Sequence, residues 1–193
     1  MIPLLVIRHG ATDWNDAKLI QGRTDRPLSG AARREMSGLR LPAEWRQARC
    51  LASPLGRAIQ TASLLGLDPQ GEPRLTEMAW GEWEGRRLSD LREQLGEAMR
   101  ENEARGLDFR PPSGESPRDV QARLRPLIAG LTERTVFVTH KGVLRALYAL
   151  ATGWTMADEP PQKLLDRHAH AFAVAINGTP SVVALNIPLE PRS

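Results

Sequence analysis

The sequence is poor in cysteine, lysine and long apolar runs, and each shortage excludes something. One cysteine, Cys50, in 193 residues rules out an intrachain disulfide framework and points to a reducing compartment. The longest apolar run near the start, Ile2 to Ile7, is too short for a signal-peptide core or a membrane span, and no basic segment precedes it. The expectation is a mature cytoplasmic chain with no membrane partner. Of the 26 basic residues only Lys18, Lys141 and Lys163 are lysines, which leaves 23 arginines and a pI of 9.6 at a net charge of only +3. No basic block interleaves with aromatics, so a nucleic-acid partner is not expected. Most arginines alternate with acids, as in Arg92-Glu93 and Arg100-Glu101, and read as solvated faces. Apolar residues at 41% and charged residues at 25% form an ordinary globular mixture, which excludes a disordered chain or a coiled coil. The length suits a single domain over residues 1–193.

The run Pro3 to Ile7 ends at Arg8-His9-Gly10 and reads as a buried strand followed by a loop. A helix is predicted over Leu28 to Leu39 with Ser29 as N-cap, then a short strand over Cys50 to Ser53 and a helix from Gly56 through Leu65. Leu75 to Gly85 is irregular. Leu88, Leu91, Leu95, Ala98 and Met99 share one helical face. Phe109 to Gly114 is a loop, and Ser116-Pro117 opens a helix that runs past Pro126, where a kink is expected, to Leu131. Thr135 to Thr139 is the clearest strand. It runs into His140-Lys141-Gly142 and a helix over Val143 to Ala151, closed by Gly153. Phe172 to Ile176 and Val182 to Leu185 are strands joined by an Asn177 to Pro180 turn. Alternating strands and helices predict an α/β fold, a three-layer α/β/α sandwich with a mostly parallel central sheet.

Ligands of such sheets bind at the carboxyl ends of the strands. Two of the predicted strands end in His9 and His140, and a third ends four residues before Arg57. A phosphate needs the planar fork of an arginine, and a nucleophilic histidine needs one nitrogen bare and the other held. A carboxylic acid must then protonate the leaving oxygen. The segment Glu77 to Glu84 supplies one, with Glu82 and Glu84 reading as exposed loop charges. His168 and His170 are two residues apart but have no third ligand, so no metal is expected. Trp80 and Trp83 read as packing under the loop.

Leu5 to Asn15 and Gln21 to Ser29 closely resemble the opening motif of the histidine phosphatase superfamily, the phosphoglycerate mutase-like fold. Ala52 to Ala62 resembles its second-arginine motif, and Leu75-Thr76-Glu77 with Gly81-Glu82-Trp83-Glu84-Gly85 its acid loop. Gly114 to Arg123 is similar to the segment before the last core helix, and Val138 to Leu147 to the second-histidine motif. The resemblance implies a small helical cap, over about residues 78–115, on the α/β domain. It implies His9 as the nucleophile, and Arg8, Arg57, His140 and Asn15 as binders of phosphoryl oxygens. Glu77 would be the proton donor, with Gln21 and Gly22 in a substrate-contacting loop. No metal or cofactor is implied. Where the family commonly has glycine after the second histidine, this chain has Lys141, whose ammonium either meets a second negative group on a substrate or turns to solvent or to a cap-loop glutamate with no bearing on substrate choice.

Family mutases carry a longer segment after the acid loop. Here 28 residues (86 to 113) separate Gly85 from Gly114. The resemblance therefore favours a phosphomonoesterase acting on a small phosphorylated metabolite; a homodimer is left open. A cofactor-dependent phosphoglycerate mutase, a phosphoprotein phosphatase and a non-catalytic phosphate-binding module are the alternatives.

Overall fold

The computed structural model describes residues 1–192. At its centre β1 (Ile2–Arg8) pairs in parallel with β5 (Thr135–Thr139), and β5 with β3 (Arg49–Ala52), which in turn pairs with β4 (Pro69–Gly71). On the other side of β1 lie β6 (His168–Val174) and β7 (Pro180–Pro188), both antiparallel. The order is β4-β3-β5-β1-β6-β7, so four of the six strands are parallel, as the sequence predicts.

Alternation along β1 explains its continuous apolar run. Leu4 and Val6 face one core with Phe137, under α6 (Pro117–Ala129) and α7 (Lys141–Thr152). Leu5 and Ile7 face the other with Val136 and Val138, under α2 (Gly30–Ser37) and α3 (Gly56–Leu64). A strand covered on both faces has no polar side to present. The result is the expected α/β/α sandwich. The helix starts obey local chemistry. Ser29 caps α2 by accepting from the Ala32 N–H, and Ser116 forms a capping box with Asp119 at α6. Gly153 closes α7 at φ +75°, a left-handed position that favours glycine.

Several expectations need correction. The helix predicted to Leu39 stops at Ser37, because Leu39–Arg40 forms strand β2 against Glu190–Pro191 (β8) near the end of the chain. The apolar face from Leu88 to Met99 belongs to two helices, α4 (Leu88–Leu95) and α5 (Glu97–Ala104), broken at Gly96 with φ +52°. A four-residue helix α1 (Asp13–Asp16), capped by Thr12, and strand β4 went unpredicted: both are short and carry no apolar period. The helix α7 starts two residues earlier than expected. Pro126 falls in the last turn of α6, and the helix continues through it to Ala129.

The segment after Glu77 builds its own small cluster. Trp83, Leu91 and Met99 are buried together, with Ile20, Trp80 and Phe109 packed against them. Ile20 ties into this segment through backbone bonds with Arg86 and Gly85. Among the described residues no helix is long and apolar enough to cross a membrane.

Leu124 of α6 is fully buried in the core under that face of the sheet. Leu124→Ala should lower unfolding free energy by about 2–5 kcal/mol in a denaturant titration, the usual cost of a core leucine. A loss below about 1 kcal/mol would mean that α6 does not pack as described.

Candidate active site

The register of β1 against β5 sets Arg8 opposite Thr139, and a further bond from the His9 N–H to the Thr139 carbonyl (2.9 Å) extends the ladder. His9 and His140 therefore leave their strands side by side, ring centroids 5.0 Å apart and edge to face. His9 is 7% exposed, and His140 is wholly buried behind it.

The Nδ1 atom of His9 lies 2.6 Å from the Gly10 carbonyl oxygen. A carbonyl only accepts, so Nδ1 carries the proton and Nε2 presents a lone pair. Burial, reinforced by the charges of Arg8 and Arg57, holds the His9 imidazole well below its ordinary pKa and hence neutral. Burial does the same to His140, aided by His9 and the arginines. His140 Nδ1 accepts from Arg57 Nε (3.3 Å), which leaves the proton on Nε2, and that atom has no partner among the described residues.

Arg57 is fully buried, and its fork is largely spent on one loop. It donates to the carbonyls of Thr24 (2.8 Å) and Gly22 (2.6 Å) and pairs with Asp25. The same loop is held from its other side by Glu84. Its carboxylate accepts from the N–H of Arg23 (2.9 Å), the N–H of Thr24 (2.9 Å) and the Thr24 hydroxyl (2.6 Å). Burial acts to raise the Glu84 pKa, but these bonds outweigh it and hold the group below the usual range. Glu84 is thus a structural anchor and not the exposed charge expected, whereas Glu82 is exposed and its carboxylate accepts from the Ser113 hydroxyl. Gly22 must be glycine: its φ is +51°, and a Cβ there would lie 2.0 Å from Glu84 Oε1.

Glu77 is 9% exposed and accepts from the backbone N–H groups of Met78 (2.8 Å) and Gly142 (3.2 Å). Burial pushes its pKa up against the opposing pull of those bonds and of Arg57 and Arg8. A Cβ on Gly142 would come within 2.5 Å of Glu77 Oε1, so the acid can approach α7 this closely only at a glycine. Arg123 steadies the acid loop from behind through the carbonyls of Thr76 (2.6 Å) and Arg74.

Arg8, His9, Asn15, Gln21, Gly22, Arg57, Glu77 and Lys141 all line one open cleft of about 1180 Å³. His140 stands behind its wall. Asn15 spends its carbonyl oxygen on Thr12, which leaves its amide hydrogens for a ligand. Gln21 accepts from Thr12 (2.8 Å), and its buried Nε2 has no partner among the described residues. Lys141 is exposed at the first position of α7 and forms no ion pair among the described residues. The neighbour that the sequence did not reveal is Asp166, in the segment before β6, which takes Arg8 Nη1 at 2.5 Å. Arg8 Nε is buried and has no partner among the described residues, which leaves it as a donor. No spacing signal marks Asp166, because its segment carries no recognisable motif.

His168 and His170 serve elsewhere. His170 is buried in the sheet, accepts weakly from the Asn186 N–H and is held at a pKa of about 4 by burial; His168 Nδ1 lies 2.9 Å from the Asp166 carbonyl. Among the described residues no group of three or more His, Cys, Asp or Glu is placed to hold a metal ion.

The sequence profile of the histidine phosphatase superfamily (branch 1) matches residues 4–187. A probable phosphoglycerate mutase, GpmB of Escherichia fergusonii, is 29% identical over 165 residues, 79% of this chain and 76% of that protein. A 2,3-bisphosphoglycerate-dependent phosphoglycerate mutase of a Methylobacterium species is 32% identical over 181 residues, 83% of this chain and 86% of its own. Among solved structures, a mycobacterial glucosyl-3-phosphoglycerate phosphatase in complex with VO3 superposes with a TM-score of 0.80 at 26% identity, over 97% of this chain and 100% of that one. Ordered motifs, sheet topology and the paired histidines thus agree with the profile match, and the chain belongs to the histidine phosphatase superfamily, branch 1.

Proposed function

We propose that the protein is a phosphomonoesterase that hydrolyses a small phosphorylated metabolite through a phosphohistidine on His9. The observation that carries this reading is the pairing of a neutral His9, its Nε2 bare, with a buried carboxyl at Glu77 whose pKa is raised. In the first step Nε2 attacks phosphorus, the bond to the ester oxygen breaks, and Glu77 gives its proton to that oxygen. In the second step Glu77, now a carboxylate, takes a proton from water. The resulting oxygen displaces Nε2, and phosphate leaves with both groups restored. Arg8 Nε, His140 Nε2 and the amide of Asn15, which have hydrogens to give, would bind the phosphoryl oxygens. Arg57 contributes chiefly by holding the loop over Gly22 and by fixing the His140 tautomer.

Water rather than a second alcohol is favoured by the short segment of 28 residues between Gly85 and Gly114, where family mutases carry a longer one, and by the likeness to a glucosyl-3-phosphoglycerate phosphatase. The mutase names of the relatives favour a second reading, in which the phosphoryl group passes to another hydroxyl.

A panel of phosphorylated metabolites should release free phosphate in the absence of any acceptor. Isomerisation of phosphoglycerate that depends on 2,3-bisphosphoglycerate, without net phosphate release, would establish the mutase instead.

Glu77→Gln should slow the release of poor alkyl leaving groups by about 100-fold or more, the usual scale for a lost general acid, and spare an activated aryl phosphate. Equal losses on both substrates would leave Glu77 with only a structural part. The pH profile is set by the same groups. His9 must be neutral, so the acid limb should lie below the ordinary histidine range. Glu77 must be protonated, so turnover of an alkyl phosphate should fall as pH rises through its raised pKa, and that limb should vanish in Glu77→Gln.

A further inference from the structure

Lys141 and Arg145 stand four residues apart on α7, on the same side and one turn from each other, and both line the cleft. Two cations at that spacing repel, and Lys141 stands in the first turn of the helix, where the dipole already disfavours positive charge. Neither has an ion-pair partner among the described residues. The guanidinium of Arg145 lies over the Trp154 ring at 5.0 Å, and its Nε is buried with no hydrogen-bond acceptor. A guanidinium N–H withheld from water and left unpaired is costly, and such groups in native proteins call for an explanation. Asp158, Glu159 and Asp166 also reach the cleft. Asp166 is bonded to Arg8 and Asp158 accepts from the Trp154 indole N–H; Glu159 acts on Arg145, and Asp166 on Lys141, through charge alone, with neither in ion-pair contact. Arg8 lines the same cleft, and its charge and that of Arg145 add to burial in pulling the Lys141 pKa down, against the opposing charge of Asp166.

We propose that Lys141 and Arg145 form a second anion subsite, next to the phosphoryl site, that holds a carboxylate or a second phosphate on the leaving group. This rests on the reading of His9 and its neighbours as the phosphoryl site. The Arg145 fork, braced on the Trp154 indole, offers directed donors, and the Lys141 ammonium adds a mobile point charge at the rim. A substrate matched to this wall carries two separated negative groups, one at His9 and one a turn along α7. The pair is a specificity device and takes no part in bond making.

Calorimetric titration of His9→Ala protein, which cannot form the phosphohistidine, reads binding alone. Three ligands separate the terms: glycerol 3-phosphate has one anionic group, 3-phosphoglycerate adds a carboxylate, and glycerol 1,3-bisphosphate adds a phosphate. At least one of the two-anion ligands should bind about tenfold or more tighter than glycerol 3-phosphate, the scale of one charge-assisted hydrogen bond. The tighter of the two identifies the second group. Adding Lys141→Gln or Arg145→Gln should remove most of that preference and leave glycerol 3-phosphate within about twofold. Lys141 is exposed, so its variant decides the matter even if Arg145→Gln fails to fold. No preference in the His9→Ala protein, or a preference that survives Lys141→Gln, would overturn the subsite. Failure of the wild-type protein to release phosphate would defeat the hydrolytic reading and leave this binding result standing.

Discussion

The site depends on the parallel pairing of β1 with β5. Both strands are buried on both faces, and the register that matches their side chains to two cores also ends them level with each other. The residues next in the chain after Arg8 and Thr139 must therefore meet, and both are histidines. Their burial is a consequence of that position, and desolvation keeps both rings neutral. One carbonyl, from Gly10, and one guanidinium N–H, from Arg57, then fix opposite tautomers. His9 shows a lone pair at Nε2 while His140 keeps a proton there.

Around that pair, close approach is secured by missing side chains. Gly142 lets the Glu77 carboxyl sit against the start of α7, and Gly22 lets the Glu84 carboxylate tuck beneath the loop that Arg57 holds. The two glutamates are seven residues apart in one loop and have opposite pKa shifts. Glu77 receives two N–H bonds, too few to offset its desolvation. Glu84 is less deeply buried and is surrounded by donors. One is suited to give up a proton, the other to stay ionised and hold a loop.

Much of this was legible in the sequence, because the informative residues lie at strand ends and in ordered motifs. The continuous apolar runs of β1 and β5, the Ser116 cap and the glycine after α7 each announce their element through a local physical preference. The break at Gly96 was not legible, since the apolar face of α4 continues in α5 and the period alone does not register a single left-handed residue. The anchor role of Glu84 was missed because it depends on N–H groups about 60 residues away in sequence. Asp166 was missed for the same reason: its partner Arg8 is 158 residues distant, and a lone carboxylate in an irregular segment has no pattern. Strand β4 carries proline and glycine and has exposed residues, so pairing with β3 alone reveals it.

The central claim is that His9 Nε2 is the atom that receives the phosphoryl group. Rapid acid-free quench of wild-type protein with 32P-labelled substrate, then peptide mapping and phosphorus NMR of the labelled peptide, tests it directly. The account predicts base-stable, acid-labile label on His9 at Nε2, formed within the first turnover and absent from His9→Ala. Full turnover with no label on His9, or label on Nδ1 or on another residue, would contradict it.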